Sequence, residues 1–209
     1  MGNFIFKELE LRGAYLISYF SSVDHRGMFS KCFERDIYRE AGLDFQLNET
    51  FISCSAKNVI RGMHFQTSNP QAKLVSVPKG RIYDVLIDLR MESPTYKQWE
   101  GYELSAENHR ALYVPRGFAH GFLSLEDATL TMYQCDGAYD RESDTGIRYD
   151  DPDIAIEWPV DNISDTIHSA RDLKLLSLTE YEKIIHAGGV KCRINAYGCS
   201  YLWNGGAAA

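Results

Sequence analysis

Between Ala72 and Cys135 the chain breaks into short apolar runs separated by turn residues at near-regular intervals, a rhythm that few folds accommodate. Ala72–Val77, Arg81–Leu89, Trp99–Leu104, Ala111–Val114, Ala119–Leu123 and Thr129–Cys135 each have strand length and strand content. Pro78-Lys79-Gly80, Glu92-Ser93-Pro94-Thr95, Ala106-Glu107-Asn108 and Pro115-Arg116-Gly117 fall between them as turns and loops. Many short strands spaced in this way predict a β-sandwich or small barrel.

The flanking segments extend the pattern. Strands are expected at 4–6, 14–20, 28–33, 47–55 and 59–65, with a brief helix over 34–41 ending at Gly42. Asp24-His25-Arg26-Gly27 reads as a turn, residues 139–153 as a surface loop, and Ile154–Trp158 as a short strand. One or two short helices are expected within 169–185. Residues 1–185 then form one domain, and 186–209 read as a poorly ordered tail without assigned function.

The informative residues are polar ones embedded in strand-like runs: Arg61, His64, Lys73, Asp84, His120 and Tyr133. Each has an ordinary explanation. Arg61 and His64, in Asn58-Val-Ile-Arg-Gly-Met-His-Phe-Gln66, can point to solvent. Lys73 can guard a sheet edge, Asp84 can cap a turn, and Tyr133 is one of 13 tyrosines. His120 is more suggestive, because Gly117 and Gly121 leave backbone room around its ring. Buried charge needs partners, and residues distant in sequence face one another inside a sandwich. Together these six would line a polar cavity in an apolar shell, the usual setting of a small-molecule site. A metal site is not expected. Positions 62 and 66 are Gly and Gln, so His64 lacks a histidine two residues away, and no two histidines lie within four residues.

Composition narrows the partners. A net charge of -7 argues against a broad nucleic-acid surface, and no apolar run is long enough to span a membrane. The five cysteines are irregularly spaced without a Cys-x-x-Cys pair, which suits reduced thiols in a cytoplasmic protein.

An ordered series of segments resembles the dTDP-4-dehydrorhamnose 3,5-epimerase family of cupin-type nucleotide-sugar epimerases. It comprises Asp24-His-Arg-Gly27, Asn58 to Gln66, Gln71-Ala-Lys-Leu-Val75, Asp84 to Arg90 with Ser93-Pro-Thr95, Leu104-Ser-Ala-Glu-Asn108, Val114 to Phe122, and Asp150-Asp-Pro152 through Trp158-Pro159. The resemblance implies an all-β jelly-roll sandwich with short C-terminal helices, a homodimer, no cofactor and no metal. It also implies a nucleotide-diphosphate 4-keto sugar as substrate. By position His64 resembles the catalytic base, Asp172 its paired carboxylate, Tyr133 the general acid, and Lys73 the lysine near the sugar oxygen. Arg61 and His120 resemble residues that hold sugar and phosphates, and Arg26, Gln66 and Tyr139 complete the implied substrate-binding set.

The implied chemistry suits these residue types. A C4 ketone acidifies the protons on C3 and C5. A base removes one, a cation stabilises the enolate, and an acid on the other face returns a proton and inverts the centre. A 3,4-ketoisomerase, a non-catalytic sugar-binding cupin and a metal-dependent oxygenase are the competing readings. The chain departs from the family pattern at Lys31, Leu47, Glu49, Ser76 and Ala138, positions that resemble nucleotide contacts. Those departures predict a carrier other than dTDP, with CDP and GDP as candidates.

Overall fold

The computed structural model describes residues 3–186 with their side chains, and the backbone of 190–195 and 198–203. Its first strands are β1 (Ile5–Glu8), β2 (Tyr15–Ser18), β3 (Phe20–Asp24), β4 (Gly27–Lys31), β5 (Glu49–Ser55), β6 (Ile60–Gln66), β7 (Lys73–Lys79) and β8 (Arg81–Asp88). There follow β9 (Trp99–Ser105), β10 (Arg110–Val114), β11 (Phe118–Ser124), β12 (Thr129–Cys135), β13 (Asp144–Gly146), β14 (Val190–Asn195) and β15 (Gly198–Trp203). The helices are α1 (Arg35–Glu40) and α2 (Leu178–Ile184), with 3-10 turns at Ile163–Asp165 and Asp172–Lys174. None of the described helices is long and apolar enough to cross a membrane.

Two antiparallel sheets face each other as a jelly-roll β-sandwich. One has the order β1-β2-β10-β7-β12-β5, the other β13-β6-β11-β8-β9. Side chains alternate between the faces of a strand, so each strand sends half its residues between the sheets. Val75, Val77, Ile82, Leu86, Leu112, Val114, Phe118 and Phe122 fill that space as its apolar part. The opposite parity of the five-stranded sheet, including Met63, Phe65, Val85, Ile87 and Leu123, packs outward beneath Ile147, Trp158, Leu178 and Tyr181. That second layer fixes the C-terminal segment against the back of the sheet. The helix α2 opens with a capping box between Ser177 and Glu180, which satisfies its first backbone donors.

Four expectations change. Ile154–Trp158 is not a strand. The Asp151 carboxylate accepts from the backbone of Asp153 and Ile154, Ala155 has φ 52°, and Trp158 Nε1 donates to Tyr149 O, so the segment is a braced turn. Pro78 lies inside β7 rather than in the turn, which falls at Gly80 with φ 79°. The tail forms a hairpin of β14 and β15 paired from Val190–Trp203 to Asn195–Gly198. The loop after residue 139 also contains β13, which pairs with β6.

Candidate active site

Arg61 and His64 are three residues apart on β6, a spacing that in a regular strand would send them to opposite faces. The pairing of β6 with β11 runs His64↔His120, then Arg61↔Phe122, so the ladder slips by one residue. This β-bulge turns both side chains into the space between the sheets. Gly62 and Gly121 make it sterically possible. A Cβ on Gly62 would lie 2.5 Å from Gly121 Cα, and one on Gly121 would lie 2.6 Å from Arg61 O. Gly62 also has φ 140°, a conformation that side chains rarely adopt.

The result is a cavity of about 340 Å³ lined by Phe51, Ser53, Arg61, His64, Lys73, His120, Gly121, Tyr133, Ser169, Arg171 and Asp172. His64 Nε2 lies 2.9 Å from Asp172 Oδ1. Asp172, in the 3-10 turn behind β6, is buried, and its backbone N–H is held by Ser169 Oγ at 3.0 Å. Burial pulls the Asp172 carboxyl upward, but hydrogen bonds from His64 and Ser169 outweigh it and hold the group below the usual carboxylate range.

A second pair sits beside the first. His120 Nε2 lies 2.8 Å from Asp84 Oδ1, with both side chains sealed from solvent. Burial raises the Asp84 carboxyl, against the pull of His120 and Lys73, and its Oδ2 has no hydrogen-bond partner. Lys73 enters from β7 with Nζ 3.5 Å from His64 O, and burial lowers its pKa. Tyr133 enters from β12 and is 8% exposed; burial and the charge of Asp84 push its phenol well above the usual range. His64 and Tyr133 therefore reach one cavity from opposite sheets.

The remaining expected contacts are placed differently. Arg61 lines the cavity and donates through Nε to Ser55 Oγ at 3.1 Å. Gln66 is outside the lining; its amide donates to Asn69 O and Ala138 O and accepts from Asp140 N, bracing the loop. Tyr139 lines a neighbouring surface pocket, and its hydroxyl donates to Asp144 Oδ2 at 2.9 Å. Arg26 sits on the exposed β3–β4 hairpin, paired with Asp24 and outside the cavity of its own chain.

Sequence reasoning missed Arg171, Ser53, Ser169 and Phe51 in the lining, whereas Asp84, expected among the lining residues, lies behind His120 and outside it. Arg171 is tied to Asp144 at 2.7 Å, on the oxygen that also receives Tyr139. Ser53 Oγ is buried without a partner, leaving a hydroxyl for a ligand. Among the described residues no three His, Cys, Asp or Glu side chains converge to hold a metal ion.

Known proteins share the sequence and the fold of this chain. The family profile of dTDP-4-dehydrorhamnose 3,5-epimerase matches residues 8–180. A dTDP-4-dehydrorhamnose 3,5-epimerase from Methanothermobacter thermautotrophicus is 43% identical over 180 residues, covering 86% of this chain and 97% of the relative. A dTDP-6-deoxy-D-glucose-3,5-epimerase from Legionella pneumophila, solved with dTDP-4-keto-L-rhamnose, superposes with a TM-score of 0.81 at 35% identity, covering 85% of this chain and 94% of that one. A 3′-monoepimerase from Streptomyces bikiniensis, solved with dTDP-quinovose, gives a TM-score of 0.79 at 31% identity, covering 85% and 89%. The chain belongs to the dTDP-4-dehydrorhamnose 3,5-epimerase family and is an epimerase.

Proposed function

We propose that this epimerase inverts C3, C5 or both in a nucleotide-linked 4-keto-6-deoxy sugar, with His64 as base and Tyr133 as acid. The observation that carries the assignment is the placement of these two groups on opposite walls of one cavity, the first backed by a buried carboxylate. Asp172 accepts from one ring nitrogen of His64, which leaves the other nitrogen free to take a proton from C3 or C5. The carboxylate then stabilises the imidazolium that forms.

As the proton leaves, negative charge moves onto the C4 oxygen. Lys73 and His120 are the cavity groups suited to stabilise it, in a site where burial strengthens such interactions. Tyr133 delivers its hydroxyl proton to the other face and the configuration inverts. Arg61 and Arg171 are the guanidinium groups of the lining and suit the diphosphate.

The working unit in this reading is a cytoplasmic homodimer. The β3–β4 hairpin exposes Val23, Met28 and Phe29, and edge strand β5 exposes Ile52, an apolar surface that a second copy would cover. Arg26, carried at the tip of that hairpin, would then serve the partner's cavity rather than its own.

The Legionella pneumophila and Streptomyces bikiniensis relatives hold dTDP sugars. In this chain two positions that resemble nucleotide contacts depart from the family pattern: Glu49 accepts from Gln71 through one oxygen, and Lys31 pairs with Glu34 at the surface. The carrier proposed is therefore a nucleotide other than dTDP. The test incubates the protein in D₂O with dTDP-, CDP- and GDP-4-keto-6-deoxy sugars and follows C3 and C5 by NMR. Deuterium with inversion at one or both carbons supports the function. Turnover confined to the dTDP sugar overturns the carrier assignment, and exchange in none of them overturns the function.

A further inference from the structure

Phe51 is the direct cross-strand partner of Tyr133 in the register of β5 and β12. The two rings lie nearly parallel, with 15° between planes and centroids 4.7 Å apart. Phe51 lines the cavity, yet 47% of it remains exposed because β5 is the edge strand of its sheet. The other side chains that β5 turns to that face near the site, Ser53 and Ser55, are small, so Phe51 is the flat wall on its side of the phenol. The remaining ring contacts of Tyr133 are tilted or edge-on: His120 at 5.9 Å and 79°, Phe122 at 6.4 Å and 45°.

We propose that Phe51 is a positioning residue that fixes the plane of the Tyr133 ring and shields its flank from water, so that the enolate is protonated from the phenol side. The inference rests on Tyr133 acting as the acid. In the full step the carbon loses its proton to His64 and gains the hydroxyl proton of Tyr133 on the other face. After release the phenolate takes a proton from solvent and the His64 imidazolium gives one up, which restores the starting state. A loose phenol lengthens the life of the enolate. The imidazolium of His64, after exchanging its proton with solvent, then reprotonates the same face. The outcome is exchange without inversion.

A ring stacked face to face obstructs the flip of its partner, whereas small side chains on an exposed edge strand leave a facing ring room to turn. Two readouts separate this role from simple support of the strand. The first needs no substrate: the flip rate of the Tyr133 ring in ¹³C-tyrosine-labelled protein, assigned with Tyr133→Phe. The second is the ratio of inversion to solvent-deuterium exchange in the 4-keto sugar.

Phe51→Ala is expected to speed ring flipping by about tenfold or more and to lower the inversion-to-exchange ratio severalfold. Phe51→Tyr, which keeps the flat face, is expected to restore both, and Phe51→Leu to restore neither. Unchanged flipping in Phe51→Ala, or a loss of exchange and inversion by the same factor, overturns the inference while leaving the epimerase reading intact. Faster flipping with an unchanged ratio likewise overturns the inference, while Tyr133 as the acid stands or falls separately on whether Tyr133→Phe loses inversion.

Discussion

His64 and His120 sit directly opposite each other on adjacent strands, and each turns one ring nitrogen onto its own buried aspartate. The two aspartates are perturbed in opposite directions, Asp172 downward by hydrogen bonds that outweigh burial and Asp84 upward by burial. One pair therefore carries a settled carboxylate behind a partly exposed imidazole, as a base requires. The other is sealed and suits holding the substrate oxygen.

Asp172→Asn retains the size of the side chain while removing the charge that supports the imidazolium. It is expected to lower kcat by about 10²–10⁴, with a much smaller change in KM. Steady-state kinetics on the substrate found in the nucleotide panel check this.

The same pairs set opposite pH trends in stability. Asp172 has a folded pKa below its unfolded value of about 3.9. Its contribution is complete above that value and is lost as pH falls through the folded one. Asp84 has a folded pKa above its unfolded value, so the native state binds its proton more tightly. Its contribution is present at low pH and declines as pH rises through the raised value. In urea unfolding between about pH 3 and 7, Asp172→Asn should flatten the acid limb and Asp84→Asn the decline above it.

Gly62→Ala and Gly121→Ala should each cost about 2 kcal/mol or more, because the added methyl meets backbone rather than a mobile side chain. The strands would part at the bulge that aims Arg61 and His64. Activity should fall even where the variants remain folded, which circular dichroism and turnover measured on the same samples distinguish.

Placing aspartates at Val23 and Phe29 on the exposed hairpin should convert a homodimer into monomers, since burying unpaired charge in an apolar interface is costly. Analytical ultracentrifugation reads the change. A wild-type protein that sediments as a monomer contradicts the dimer.

The strand rhythm was legible because alternation and turn residues are local properties. Most strand bounds between residues 47 and 135 follow from them. The site was legible only in part, because it depends on register. Reading Arg61 and His64 as sharing one face requires the bulge at Gly62, which becomes visible only when β11 is placed beside β6. Asp84 reads as a cavity-lining residue within a strand, and only the pairing of β8 with β11 shows it set behind His120 instead. Phe51 looks like one more strand aromatic until β5 lies against β12. Gln66 and Tyr139 stand near the cavity in sequence, yet their polar atoms are committed to the loop and to Asp144. Ile154–Trp158 has strand content, but the Asp151 carboxylate and the anchored Trp158 indole hold it as a turn.

The most direct test of two groups acting from opposite faces compares His64→Ala with Tyr133→Phe in D₂O, reading C3 and C5 of the 4-keto sugar by NMR. The account predicts that His64→Ala abolishes both exchange and inversion, whereas Tyr133→Phe retains exchange and loses inversion. Exchange that survives in His64→Ala at the wild-type rate would contradict it.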